Sequence, residues 1–140
     1  MRAAAAAVAL AGLGIAAYLT AVHYAGAAPV CAVSHGCATV QQSDYAQLAG
    51  VPVALLGAAG YVAMLGCLAL DGVRARTTAA FVSLAGAGFS GWLTYVEIAE
   101  LRAICIWCVG SAVCMAALAA LSVARMIGGP SGHQTASSIR

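Results

Sequence analysis

The chain has 140 residues, of which 64% are hydrophobic and only 7% charged, with a formal net charge of +2 and a mean hydropathy of +0.97. A soluble domain has nowhere to hide so much apolar surface, so the composition predicts an integral membrane protein with little outside the bilayer. Lysine is absent and the six basic residues, all Arg, are dispersed, which excludes a nucleic-acid-binding surface.

Residues 3–24 form an apolar, Ala-rich run of 22 residues, roughly 33 Å long as a helix at about 1.5 Å per residue. The rival reading is a cleaved secretory signal. The run is longer than the usual apolar core of such signals, about 7–15 residues, and Tyr18, Thr20 and His23 sit near its end, so a retained span is expected. Residues 25–52 then turn polar and form the long outer loop, with Cys31, His35, Gly36, Cys37, Gln41, Gln42, Ser43 and Asp44. Ser43 followed by residues 44–48 predicts an N-cap and a short helix on the membrane surface. Gly50-Val51-Pro52 breaks that helix, with Pro52 at a first-turn position where its missing N–H costs little.

A second span is expected over 53–70, a polar turn over 71–76, and a third span over 77–98, rich in small residues (Gly86, Gly88, Ser90, Gly91) that allow close helix contact. Glu97, Glu100 and Arg102 mark a brief polar connection. The fourth span covers 104–126, and residues 127–140 read as a disordered cytoplasmic tail. Four spans put both termini on one side, with Arg2, Arg74, Arg76, Arg125 and Arg140, and leave Arg102 on the other. The positive-inside rule makes the termini cytoplasmic.

Cys31, Cys37 and Cys105-Ile106-Trp107-Cys108 then share the outer, oxidising face. Thiols at i and i+3 at a helix start lie within reach of a disulfide, and the helix N-terminus favours the nucleophilic thiolate. The C-x5-C loop pair alone suits a static staple. Beside a CxxC, thiol–disulfide exchange is the better reading. Cys67 and Cys114 read as packing residues. A c-type haem needs C-x-x-C-H, but Val109 follows Cys108, and the cysteine spacings match no usual zinc site, so no metal is expected. The spans carry no ionisable residue near their centres, which argues against an ion path. Electrons are the better cargo, and an acceptor that lives in lipid is a quinone, with Trp92, Tyr95 and Trp107 near the outer leaflet as candidate flanks. The rival for those aromatics is the interfacial belt.

The series Cys31-x5-Cys37, Ser43, Gly50-Val51-Pro52 and Cys105-x-x-Cys108, in that order, resembles the bacterial vitamin K epoxide reductase homologues over roughly residues 3–126. The resemblance implies an all-α membrane protein of the bacterial inner (cytoplasmic) membrane. Its form would be a four-transmembrane-helix bundle, with the outer-face loop and a short interfacial helix capping a quinone site. It implies that Cys108 lies nearest the quinone, that Cys105 exchanges with Cys37, and that Cys31 meets a thioredoxin-fold (DsbA-like) protein. Ser43 matches the family's loop serine near the active site. Menaquinone or ubiquinone is the implied acceptor, with Pro52, Leu56, Trp92, Tyr95, Ser111 and Ala112 as candidate contacts.

Many bacterial members carry a fused thioredoxin-like domain. The residues after Met126 are too few for one, so a separate partner is expected. The animal enzymes are associated with an Asn and a Tyr in the quinone pocket, whereas this chain has no Asn, and Ala112 stands four residues after Cys108 where that Tyr falls. Quinone reduction, rather than epoxide reduction, is therefore expected. The alternatives are a DsbB-type quinone oxidoreductase, which would hold its CxxC in the first outer loop, and a non-enzymatic membrane protein with structural disulfides.

Overall fold

The structure is a computed structural model that describes residues 1–31 and 36–128. His35 and the expected tail beyond Gly128 lie outside them. Among the described residues, four long helices carry the fold: α1 (Arg2–Tyr24), α3 (Val53–Ala69), α4 (Val73–Val96) and α5 (Ile106–Ile127). A short helix α2 (Cys37–Gln41), a 3-10 turn (Asp44–Ala46) and a two-strand ladder, β1 (Gln47–Leu48) against β2 (Val51–Pro52), fill the loop between α1 and α3. A π-turn (Glu97–Leu101) closes α4.

Each long helix packs on two others, α1 on α3 and α5, and α4 on α3 and α5. The buried face of α1 is Ala5, Ala9, Gly12, Ala16 and Leu19. These alternate four- and three-residue steps, the seam spacing of a left-handed bundle, and their small size brings backbones close. A methyl added at Gly12 would overlap the Tyr61 ring, and one at Gly86 would stand 2.9 Å from Met115 on α5. Tyr61, Met64 and Leu118 are wholly buried between the helices. The Tyr61 hydroxyl donates to the Ser111 carbonyl oxygen at 2.8 Å and pairs with the Ser111 hydroxyl at 2.9 Å, which ties α3 to α5. A buried phenol needs such a partner to offset its lost hydration.

The exterior is apolar. Leu10, Val62, Phe81, Leu84 and Val113 all face outward, an arrangement that water would penalise and hydrocarbon does not. Three helices (α1, α4 with its π-turn, and α5) are long and apolar enough to cross a membrane, while α3, at 17 residues, is a shorter apolar helix. At one end of the bundle, Arg2 donates to the Leu68 carbonyl at 2.7 Å and pairs with Asp71 at 2.9 Å, so the start of α1 lies beside the α3–α4 turn. The loop and the start of α5 occupy the opposite end.

Local structure departs from the sequence-based expectation in two places. The polar turn expected over 71–76 is shorter, because α4 begins at Val73 and takes Arg74 and Arg76 into its first turn. The helix expected over 44–48 is a single 3-10 turn, and the short helix of the loop is α2, earlier in the chain. Ser43 has the extended backbone of an N-cap but makes no capping bond, since its hydroxyl donates to the Val40 carbonyl at 2.6 Å. Ala49 and Gly50 both take positive φ (53° and 83°). Positive φ at both central residues marks a type I′ turn, so Gln47 and Leu48 extend into a ladder and leave the helix.

Candidate functional site

Cys37 and Cys105 share one buried cluster with Val40, and Cys31, Trp107 and Cys108 pack around it. Cys31 and Cys37 are disulfide-bonded, with Cα atoms 6.2 Å apart. Cys105 and Cys108 are free thiols. Cys37 (1% exposed) and Cys105 (0%) are enclosed, whereas Cys31 is half-buried. The expected redox cysteines are thus brought to one place, with the loop disulfide against the CxxC.

Two contacts seat the loop there. Gly36, the residue before α2, lies directly on the backbone ahead of the CxxC: a methyl on it would stand 2.6 Å from both the nitrogen and the oxygen of Ile104. Only glycine allows that approach. On the other side of the disulfide, the Trp107 indole N–H donates to the Val30 carbonyl at 2.8 Å, and the Val30 N–H donates to the Tyr18 hydroxyl at 3.0 Å. The two rings sit 5.0 Å apart at 51°, a tilted aromatic pair. This clip holds the peptide immediately before Cys31.

The CxxC is positioned by the end of α4. The π-turn widens the last coil of that helix, and Arg102 then takes a left-handed conformation (φ 48°, ψ 34°) that caps it. The chain reverses, and the Ala103 N–H donates back to the Glu97 carbonyl at 3.0 Å. Cys105 arrives as the extended residue before α5. Its N–H donates to the Glu97 carboxylate at 3.0 Å, which sets that side chain beside the CxxC. Gln41 of α2 donates to the Cys108 sulfur at 3.5 Å. Hydrogen bonding from the Cys108 thiol holds Cys105 below the usual thiol value, against the opposing effects of burial and the Glu97 charge. Cys105 is therefore the member of the pair that ionises first.

Beneath the cysteines lies a cavity of about 360 Å³, within the range of small-ligand sites. Leu19, Leu56, Phe89, Leu93 and Met115 supply apolar wall, and Gln41, Glu97, Cys108 and Ser111 supply the polar atoms. A flat ring with an apolar tail suits these walls, because the polar groups gather at the CxxC end. Of the residues expected at a quinone, Leu56 and Ser111 line the cavity, and Pro52, Trp92, Tyr95 and Ala112 do not. Trp92 (48% exposed) and Tyr95 (63%) face outward from α4, and Trp92 instead packs on Tyr45 and Phe89. Ala112 is rotated roughly 100° around α5 from Ser111, and Pro52 is buried at the end of β2. Trp107 serves the Val30 clip. Ser43 is on the far side of α2, in a polar cleft with His23, Asp44 and Gln47.

Glu97 and Gln41 were not singled out from the sequence. The signal for Glu97 is its position as the first charge after the uncharged apolar run over 77–96, close ahead of the CxxC. For Gln41 it is the four-residue step from Cys37, which places it one helical turn along the same face.

A model of the vitamin K epoxide reductase family matches residues 3–123, a stretch that contains all four site cysteines. The chain belongs to that family. It is a membrane thiol–disulfide oxidoreductase, of a family whose members use quinones in general.

Proposed function

We propose that this member of the vitamin K epoxide reductase family re-oxidises an extracytoplasmic thioredoxin-fold (DsbA-like) protein and passes the electrons to menaquinone or ubiquinone, supporting disulfide formation in exported proteins. One observation carries this: the bonded pair Cys31–Cys37 and the free pair Cys105/Cys108 share a cluster, and Cys108 is on the wall of the apolar cavity.

The partner's dithiol reduces the Cys31–Cys37 disulfide and leaves oxidised. The Cys37 thiolate then attacks Cys105 of a Cys105–Cys108 disulfide, forming a Cys37–Cys105 bridge and releasing Cys108 as thiolate. Cys31 attacks Cys37, which restores the loop disulfide and frees Cys105. The state in the structure, loop bonded and CxxC reduced, corresponds to this point of the cycle. The CxxC dithiol closes again as two electrons and two protons pass to the quinone, which leaves as quinol. Ser43 acts here as a positioning residue, through its bond to the Val40 carbonyl at the end of α2.

The proposed spans are α1, α3, α4 and α5. At 17 residues, α3 is about 26 Å long, close to the minimum for a hydrocarbon core of about 30 Å. Arg2, Arg74, Arg76 and Arg125 gather at the end of the bundle away from the cysteines, which supports cytoplasmic termini and an outer-face site in a bacterial inner membrane.

The test is quinol formation by the purified protein, supplied with a reduced thioredoxin-fold donor and a short-chain quinone and followed by absorbance. Cys108→Ala should abolish it. In a Cys31→Ala, Cys108→Ala double variant, Cys37 and Cys105 should trap each other. If no such bridge forms under mild oxidation, the order of transfer is wrong.

A further inference from the structure

Among the described residues, Glu97 is the one buried charged side chain, 3% exposed. A carboxylate taken out of water is costly unless something compensates it. No cation does so, because the ion pair found among the described residues is Arg2–Asp71 at the opposite end of the bundle. Its hydrogen-bond partner is instead the Cys105 N–H at 3.0 Å, and it shares the cavity wall with the Cys108 thiol. The first contact is a helix-capping bond, which an uncharged Ser or Asn placed at the cap would also provide. The shared wall has no structural need for a charge. It sets a proton acceptor in the same cavity as the one thiol that lines it.

We propose that Glu97 is a catalytic proton-transfer group for the thiol pair, resting on the relay reading above. As Cys108 gives up its S–H, the proton passes to the Glu97 carboxylate and an O–H forms there. When Cys105 and Cys108 then close their disulfide, two electrons leave to the quinone. The proton on Glu97 goes to a quinone oxygen, and the second comes from Cys105, directly or by way of solvent. The dithiol loses two electrons and two protons, and the quinol gains them. The titratable side chains facing Glu97 are Cys105 and Cys108. Tyr45 belongs to the same cavity wall, and from α2 come Gln41 and the bonded Cys37, which do not titrate.

Glu97→Gln separates this role from a structural one, since the amide oxygen can still accept the Cys105 N–H but the side chain cannot take the proton. In a Cys105→Ala background, the pH profile of Cys108 alkylation, read residue by residue by mass spectrometry, should show two steps when Glu97 is present and one in the Glu97→Gln variant, because interacting groups titrate as a pair. Reduction of a short-chain quinone by pre-reduced Glu97→Gln protein should slow by about 100-fold. Trapping of Cys37 with Cys105 in the Cys31→Ala, Cys108→Ala background should keep its rate. A one-step profile with Glu97 present, an unchanged quinone rate, or loss of trapping in Glu97→Gln each overturns the proposal, the last by making Glu97 a structural cap. If the parent protein reduces no quinone yet keeps the two-step profile, the relay reading fails while the shared proton stands.

Discussion

Gly36→Ala tests whether the loop is seated on the CxxC by direct backbone contact. The added methyl would stand 2.6 Å from the Ile104 nitrogen and oxygen, about 0.8 Å inside the 3.4 Å at which ordinary van der Waals contact begins. Both opposing atoms are backbone, so no side chain can swing aside. Either α2 lifts or the segment ahead of Cys105 retreats. Overpacking of this kind costs about 1–3 kcal/mol. Cys37 is the first residue of α2, so the lift moves its sulfur away from Cys105. A displacement of ~1 Å between reacting atoms costs about 100-fold in rate. The assay is the rate of Cys37–Cys105 bridge formation under mild oxidation in a Cys31→Ala, Cys108→Ala background, with and without Gly36→Ala. Thermal unfolding in detergent should fall while the helix content of the bundle stays. A trapping rate equal to that of the parent would refute the seat, and with it the idea that α2 positions Cys37.

Further outcomes follow from the same geometry. The Cys105 thiol is held below the usual thiol value by the hydrogen bond from Cys108, so it stays thiolate to lower pH than a free thiol and loses the charge as pH falls through its lowered value. Its alkylation midpoint should therefore lie below the ordinary thiol value of about 8.5, and Cys108→Ala, which removes the hydrogen bond responsible, should move the midpoint up toward that value. An unmoved midpoint would assign the shift to another cause. Trp107→Phe keeps a ring against Tyr18 but loses the bond to the Val30 carbonyl, for a loss of about 1 kcal/mol; calorimetry in detergent checks it. Ala49→Asn replaces a residue strained at φ 53° with one that tolerates a type I′ turn, for a gain of about 0.5–1 kcal/mol. A lower melting temperature would count against that turn.

The membrane class and the family were legible in the sequence because both are carried by composition and by spacing along the chain. An apolar run such as residues 3–24 needs no tertiary information to be a helix, and the order of two thiol pairs with Ser43 and Gly50-Val51-Pro52 between them is itself the family signature. The loop was harder. Ser43 carries the chemistry of a helix cap, but its hydroxyl had a nearer acceptor in the Val40 carbonyl. Ala49 is not a residue that announces a positive-φ turn, so the ladder over 47–52 left no mark. Trp92 and Tyr95 stood at the right depth for a quinone, yet depth fixes only position along the axis. Which way a side chain faces depends on how α4 is rotated against α3 and α5, and that is set by small residues such as Gly86 meeting Met115. Glu97 was hidden for a related reason: eight residues separate it from Cys105 in the chain, and only the π-turn and the left-handed Arg102 fold them back together.

The burial of the four cysteines is graded, and the gradient bears on the direction of transfer. Cys31 is half-buried toward the surface, Cys37 and Cys105 are enclosed, and Cys108 meets the cavity. An external protein can approach only the first, and a ligand in the cavity only the last. Cys37 cannot be bonded to Cys31 and Cys105 at once, so exchange between the pairs requires the loop to shift. The contacts that resist a shift are the Gly36–Ile104 approach and the Val30 clip, which lie on opposite sides of the loop disulfide. Breaking Cys31–Cys37 removes the covalent cross-link between those two seats and leaves only the chain itself joining them. With the cross-link gone the two arms are less tightly coupled, so in the proposed relay reduction of the loop disulfide would both supply the electrons and free Cys37 to deliver them.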